Sequence, residues 1–86
     1  PANRPMTFNA AGDVVLDSSG NMFVSDHYNG RVMRWAVNAS SGTMVAGTGV
    51  PGNGDPQLNL PYGLFWSESS SYLYIADSGN DRIQRY

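Results

Sequence analysis

Apolar residues fall in short runs along this chain, and each run ends at a cluster of turn formers. Residues 14–16, 22–25, 31–37 and 43–46 are rich in β-branched, aromatic or methionine side chains. Between them lie Ser18, Ser19, Gly20 and Asn21, then His27, Tyr28, Asn29 and Gly30, then the polar stretch 38–42. That pattern predicts strands joined by tight turns, which pair as antiparallel neighbours. A second set follows at 63–66, 72–76 and 82–86. No stretch combines helical spacing with a cap, so no helix is expected. Runs such as Val14, Val15, Leu16 and Met22, Phe23, Val24 are continuous rather than alternating. Continuous apolar strands imply burial on both faces. Stacked sheets arranged around an axis supply that.

The two sets are copies of one unit. Asp26, Asn29, Arg31 and Arg34 recur as Asp77, Asn80, Arg82 and Arg85, all at a spacing of 51. Val24, Ser25, Val32 and Trp35 are matched by Ile75, Ala76, Ile83 and Tyr86. Upstream the spacing drops to 50, placing Asp13 over Gly63 and Leu16 over Trp66. One inserted residue in the serine-rich turn 68–71 accounts for the slip.

At these residues the chain resembles the NHL repeat family. The theme is a strand, an Asp and Gly-Asn turn, a strand ending in Asp, then Gly-Asn, Arg and an aromatic. It appears as Val15, Leu16, Asp17, Gly20, Asn21 and Met22 to Asp26. It recurs closely as Ile75, Ala76, Asp77, Ser78, Gly79, Asn80, Asp81, Arg82, Ile83, Gln84, Arg85 and Tyr86. The first copy departs from it at His27 and Tyr28. Gly47, Gly49, Gly52, Asn53, Gly54, Gln57, Leu58, Asn59 and Pro61 resemble the link between such repeats. The resemblance implies four-stranded blades of a β-propeller, commonly about six blades in all.

The expected class is therefore all-β, with two four-stranded antiparallel propeller blades per chain. Residues 10–47 form the first blade, 48–62 the link, and 63–86 a second blade lacking its outermost strand. Residues 1–9, with Met6 to Phe8 at their centre, are expected to form a strand that completes a neighbouring chain's blade. Two blades cannot close a ring, and head-to-tail contacts must close cyclically or form filaments. Three copies give six blades and four give eight; the resemblance favours a homotrimer over a homotetramer. The start at Pro1 rather than Met suggests a processed, excised or engineered piece.

Composition narrows the partners. At 86 residues and without cysteine, a single core is marginal and no disulfide compensates, which again favours self-association. A net charge of −2 with five arginines gives no footprint for nucleic acid or an anionic membrane. No apolar run is long enough to span a membrane. The chain gives no signal of compartment. Asn38, Ala39 and Ser40 match the N-glycosylation triplet, a pattern that plain turns also produce.

Candidate chemistry is sparse. Asp26, Asn29 and Arg31, and their copies Asp77, Asn80 and Arg82, read as a scaffold device, because catalysis does not need one set per blade. The single histidine, His27, has no partners for a nucleophilic triad. Three symmetry copies would be needed for a zinc-like set, so neither a catalytic set, a metal site nor a cofactor is expected. Trp35 and Tyr86, flanked by Arg34 and Arg85, are expected to fill space between blades. If there is a recognition surface, it lies where the link and the turn after the second strand share one face: His27, Tyr28, Asn53, Asp55 and Tyr62. The leading function is thus structural self-assembly by strand exchange. A ligand- or protein-binding module on the loop face is the alternative. A metal-dependent lyase or hydrolase is third, since the chain lacks the several histidines of NHL-like lyases.

Overall fold

The computed structural model describes Phe8 and residues 10–86. It is all-β, with two antiparallel sheets and two single-turn 3-10 helices. The first sheet is a four-stranded meander of β1 (Ala11–Leu16), β2 (Met22–Asp26), β3 (Arg31–Trp35) and β4 (Thr43–Gly47). The second contains β5 (Pro61–Ser67), β6 (Tyr72–Asp77) and β7 (Arg82–Arg85). No helix among the described residues is long and apolar enough to cross a membrane.

The sheets share a register. Val14 pairs with Val24 and Leu16 with Met22; Leu64 pairs with Ile75 and Trp66 with Leu73. The spacing is thus 50 on the first strand and 51 on the second, with the extra residue in the β5–β6 turn. Both sheets are also bulged at equivalent places, between Ala11 and Val14 and between Pro61 and Leu64, and the first sheet is irregular again between Val32 and Met33. The bulge in the second sheet lets β5 begin with a proline, tolerated at a strand's first residue. β1 starts three residues before the apolar run, because Ala11 pairs with Asp26 and Gly12 and Asp13 form the bulge without contributing hydrophobic signal.

Local chemistry sets the turns. Asp17 accepts from the Ser19 and Asn21 backbone amides at 3.0 and 2.9 Å, forming an Asx turn between β1 and β2. Its pKa is lowered, first by the Asn21 side-chain amide. After β2 and β6 the chain makes one 3-10 turn, His27–Asn29 and Ser78–Asn80, and leaves each through a left-handed residue. Those residues are Gly30 (φ 60°) and Asp81 (φ 53°). These two turns are helical, where loops are expected from sequence. Asn38 occupies a left-handed position (φ 63°) in the exposed β3–β4 turn.

The core lies between the sheets. Val15, Phe23, Val32 and Ala46 on one face of the first sheet meet Leu64, Trp66, Leu73 and Ile75 of the second, with Leu58 of the link among them. β5 packs on β1 and β2. The aromatic pair at this seam is Phe23 stacked on Trp66, centroids 5.2 Å apart. Trp35 and Tyr86 are not part of this core cluster. Trp35 packs edge-on to Phe8 and covers Gly42, and Tyr86 donates its hydroxyl to the Pro56 carbonyl.

Residues 1–7 and 9 of the expected exchanged strand lie outside the described residues. Phe8 is in no strand. Ala10 and Leu60, spaced by 50, both take left-handed backbone (φ 59° and 53°) just before β1 and β5. Ala10 and Leu60 thus hold equivalent places, each immediately before the first strand of its sheet.

Candidate functional site

The repeated acid, amide and guanidinium form two closed sets. In the first, Asn29 Nδ2 and Arg31 Nε donate to Asp26 Oδ2 at 3.0 and 2.7 Å. In the second, Asn80 Nδ2 and Arg82 Nε donate to Asp77 Oδ2 at 2.9 and 2.6 Å. Asp26 and Asp77 are both fully buried. Each carboxylate ends a strand and ties the 3-10 turn to the start of the next strand. A buried carboxylate is tolerated only when its oxygens are filled with donors, and here they are. Burial would raise the Asp77 pKa. The Asn59 amide at 2.7 Å, the Asn80 amide and the Arg82 guanidinium outweigh it and hold that pKa below the usual carboxylate value.

The second set also holds the link. Arg82 Nη2 donates to the Gly54 and Gln57 carbonyls at 2.9 and 2.8 Å, and Asn80 Nδ2 reaches the Gly52 carbonyl at 2.9 Å. Gly79 N–H donates to the Asn59 carbonyl at 2.7 Å. A Cβ at Gly79 would lie 2.7 Å from that same oxygen, so the link can approach only a glycine there. These donors of the second set are all engaged with the backbone of the link.

The five loop-face residues divide. His27, Tyr28 and Tyr62 come together. The imidazole lies 4.9 Å from the Tyr28 ring and 5.9 Å from the Tyr62 ring, centroid to centroid, steeply inclined to both. His27 Nδ1 sits 3.0 Å from the Pro61 carbonyl. A carbonyl can only accept, so Nδ1 carries the proton and, in the neutral ring, Nε2 keeps a free lone pair. Both tyrosines are more than half exposed, and His27 is half-buried. Asn53 and Asp55 are exposed and belong to the part of the link fastened to β7, where Gln84 Nε2 donates to the Asp55 carbonyl at 2.9 Å. No described hydrogen bond or ring contact joins them to His27.

Polar ties flank the seam. Asp13 Oδ2 accepts from Leu64 N–H at 3.0 Å, across the two sheets. Ser25 Oγ accepts from Asp13 N–H and donates to the Tyr62 carbonyl, both at 2.8 Å. At the other end Glu68 Oε1 accepts from Ser18 N–H at 2.9 Å and Trp66 Nε1 at 2.7 Å, and these bonds, Trp66 first, lower the Glu68 pKa. No periodicity in the sequence marks Asp13 as a cross-sheet acceptor. The only hint is that its copy, Gly63, cannot do the same.

Arg31 and Arg82 are held by their aspartates, and Arg85 lies 4.3 Å over the Tyr72 ring. Among the described residues no group of three His, Cys, Asp or Glu side chains could hold a metal ion. No family model matches the chain, and no curated protein matches it.

One apolar face is left open, and a second is open along its edge strands. On the second sheet, Gly63, Leu64, Phe65, Tyr74, Ala76 and Ile83 line a shallow apolar depression. Phe65 and Ile83 are 64% and 67% exposed. On the far face of the first sheet, Val14, Leu16 and Met44 on the edge strands are exposed, while Val24 and Met33 on the central strands are 2% and 9% exposed.

Proposed function

We propose that this chain is a structural pair of NHL-like propeller blades that closes into a ring by self-association, three copies making six blades. One observation carries the reading. The open face of the second sheet is the repeat counterpart of the first sheet's face at the seam: Phe65, Tyr74 and Ile83 stand where Val15, Phe23 and Val32 stand. The open face of the first sheet is likewise the counterpart of the second sheet's seam face, with Val14, Leu16 and Met22 for Leu64, Trp66 and Leu73. Each open face thus matches the surface that the other half already covers inside the chain. A second copy supplies that surface, and the contact is heterologous, so it repeats until the ring closes. β7 then takes a fourth strand from the neighbour, as β3 takes β4.

Light scattering after size exclusion tests the proposal. A particle near three times 9.3 kDa is expected. Phe65→Asp combined with Ile83→Asp should reduce it to a folded monomer. A wild-type chain that stays folded and monomeric up to millimolar concentration overturns the reading. Deleting residues 1–7 separates the two contacts: an unchanged mass leaves the faces as the joint, and loss of the ring assigns it to strand exchange.

A further inference from the structure

The turn does not need the side chains of His27, Tyr28 and Tyr62 to take its shape, although His27 also ties the seam through the Pro61 carbonyl. The three positions are ones where the repeat otherwise uses small residues. His27 corresponds to Ser78, Tyr28 to Gly79 and Tyr62 to Gly12. The second turn folds identically with serine and glycine, down to the 3-10 geometry and the left-handed exit. Three separate departures, two in the first copy and one in the second, nevertheless meet in space. Gly12 also makes room for them. A Cβ there would lie 3.0 Å from Tyr62 Cδ1 and 2.5 Å from Ser25 Oγ. The small residue in one copy is thus paired with the large one in the other.

The chemistry of the cluster is uniform. Aromatic faces are the negative side of a ring quadrupole. The imidazole, with Nδ1–H committed to Pro61, offers the lone pair of Nε2. The charged residues of that turn, Asp26 and Arg31, are bonded to each other and present no bare cation. The rings are mutually inclined, at 68° for His27 and Tyr28 and 85° for His27 and Tyr62, so they form a corner and not a flat stack. An electron-rich corner of non-parallel rings suits a cation with an apolar shell, the chemistry by which aromatic cages hold quaternary ammonium groups. We propose that His27, Tyr28 and Tyr62 form a binding site for an alkylated ammonium group. The site lies within one chain and does not depend on ring closure.

Choline and its uncharged isostere dimethylbutanol distinguish charge from shape. Titration of the full chain, followed by calorimetry and by the ring proton resonances of Tyr28 and Tyr62, should show saturable choline binding. Dimethylbutanol should bind at least about tenfold more weakly. Tyr28→Gly and Tyr62→Gly restore residues the other copy already uses, so both should fold, and each should weaken choline by about tenfold. Tyr28→Phe should bind nearly as the wild type, since the ring face is kept. Equal affinity for choline and its isostere overturns the proposal, as does choline binding that survives both glycine variants. Absence of saturable choline binding also overturns it.

Discussion

Equivalent faces of the two sheets meet opposite fates. Phe23 and Val32 at the seam are 6% and 0% exposed, while their counterparts Tyr74 and Ile83 are half-buried and 67% exposed. Val32 and Ile83 are equally apolar, so the neighbour decides their burial, not the strand's own sequence. The polar residues differ in kind. The seam face carries Asp13, Ser25 and His27, which bond to Leu64, Tyr62 and Pro61 across the gap. The open face carries Gly63, Ala76 and Ser78 at those positions. Hydrophobic burial is non-directional, whereas hydrogen bonds fix distance and angle. The internal contact therefore has a specified register, and the open face offers mainly apolar area.

The sharpest way to break this comparison is to truncate the same position on both sheets. Phe23→Ala removes a buried ring stacked on Trp66 and should destabilise the chain by about 3–5 kcal/mol in urea unfolding. Tyr74→Ala should cost less than about 1 kcal/mol in dilute solution, with the cost rising with protein concentration as copies associate. Equal losses at high dilution would mean that the open face is already covered within one chain.

Next in size is the carboxylate that anchors the link. Asp77→Asn keeps the shape but removes the charge facing Arg82, and should cost about 2–3 kcal/mol at neutral pH. The folded pKa of Asp77 lies below the unfolded value near 3.9. Its contribution is thus whole above about pH 4 and is lost as pH falls through the lower folded value. Wild type and Asp77→Asn should converge in stability on acidification. A gap that persists to the lowest pH would assign the loss to packing instead of charge.

Much of this design is legible in the sequence, because it is local. Turn formers and apolar runs mark the strands, and the spacing of Asp26 and Asp77 marks the repeat, including the one-residue slip. The acid sets read as scaffold for the same reason: they recur. Contacts between the sheets are less legible. Trp35 and Tyr86 look like seam aromatics by position, yet Phe23 and Trp66 hold that place, because facing is decided by strand parity and by which sheet lies opposite. His27, Tyr28 and Tyr62 are assigned to one face by topology alone. Their meeting depends on Gly12, whose role appears only when its copy, Tyr62, is packed against it. Asn53 and Asp55 are drawn toward β7 by bonds from Gln84 and Arg82 that no local pattern announces.

The smallest effect probes the polar ties themselves. Ser25 is fully buried, and its hydroxyl is the only described group that joins Asp13 N–H to the Tyr62 carbonyl. Ser25→Ala leaves both without that partner and should cost about 1–2 kcal/mol. Ala76→Ser, the reverse change on the open face, should stay within about 0.5 kcal/mol, because the hydroxyl there meets water. The pair of variants asks whether a tie has value only where a sheet faces it. If Ser25→Ala is as neutral as Ala76→Ser, directional bonds do not hold the seam. The two faces would then differ only in being covered or open, and any blade-like surface of similar shape should be able to exchange at either one.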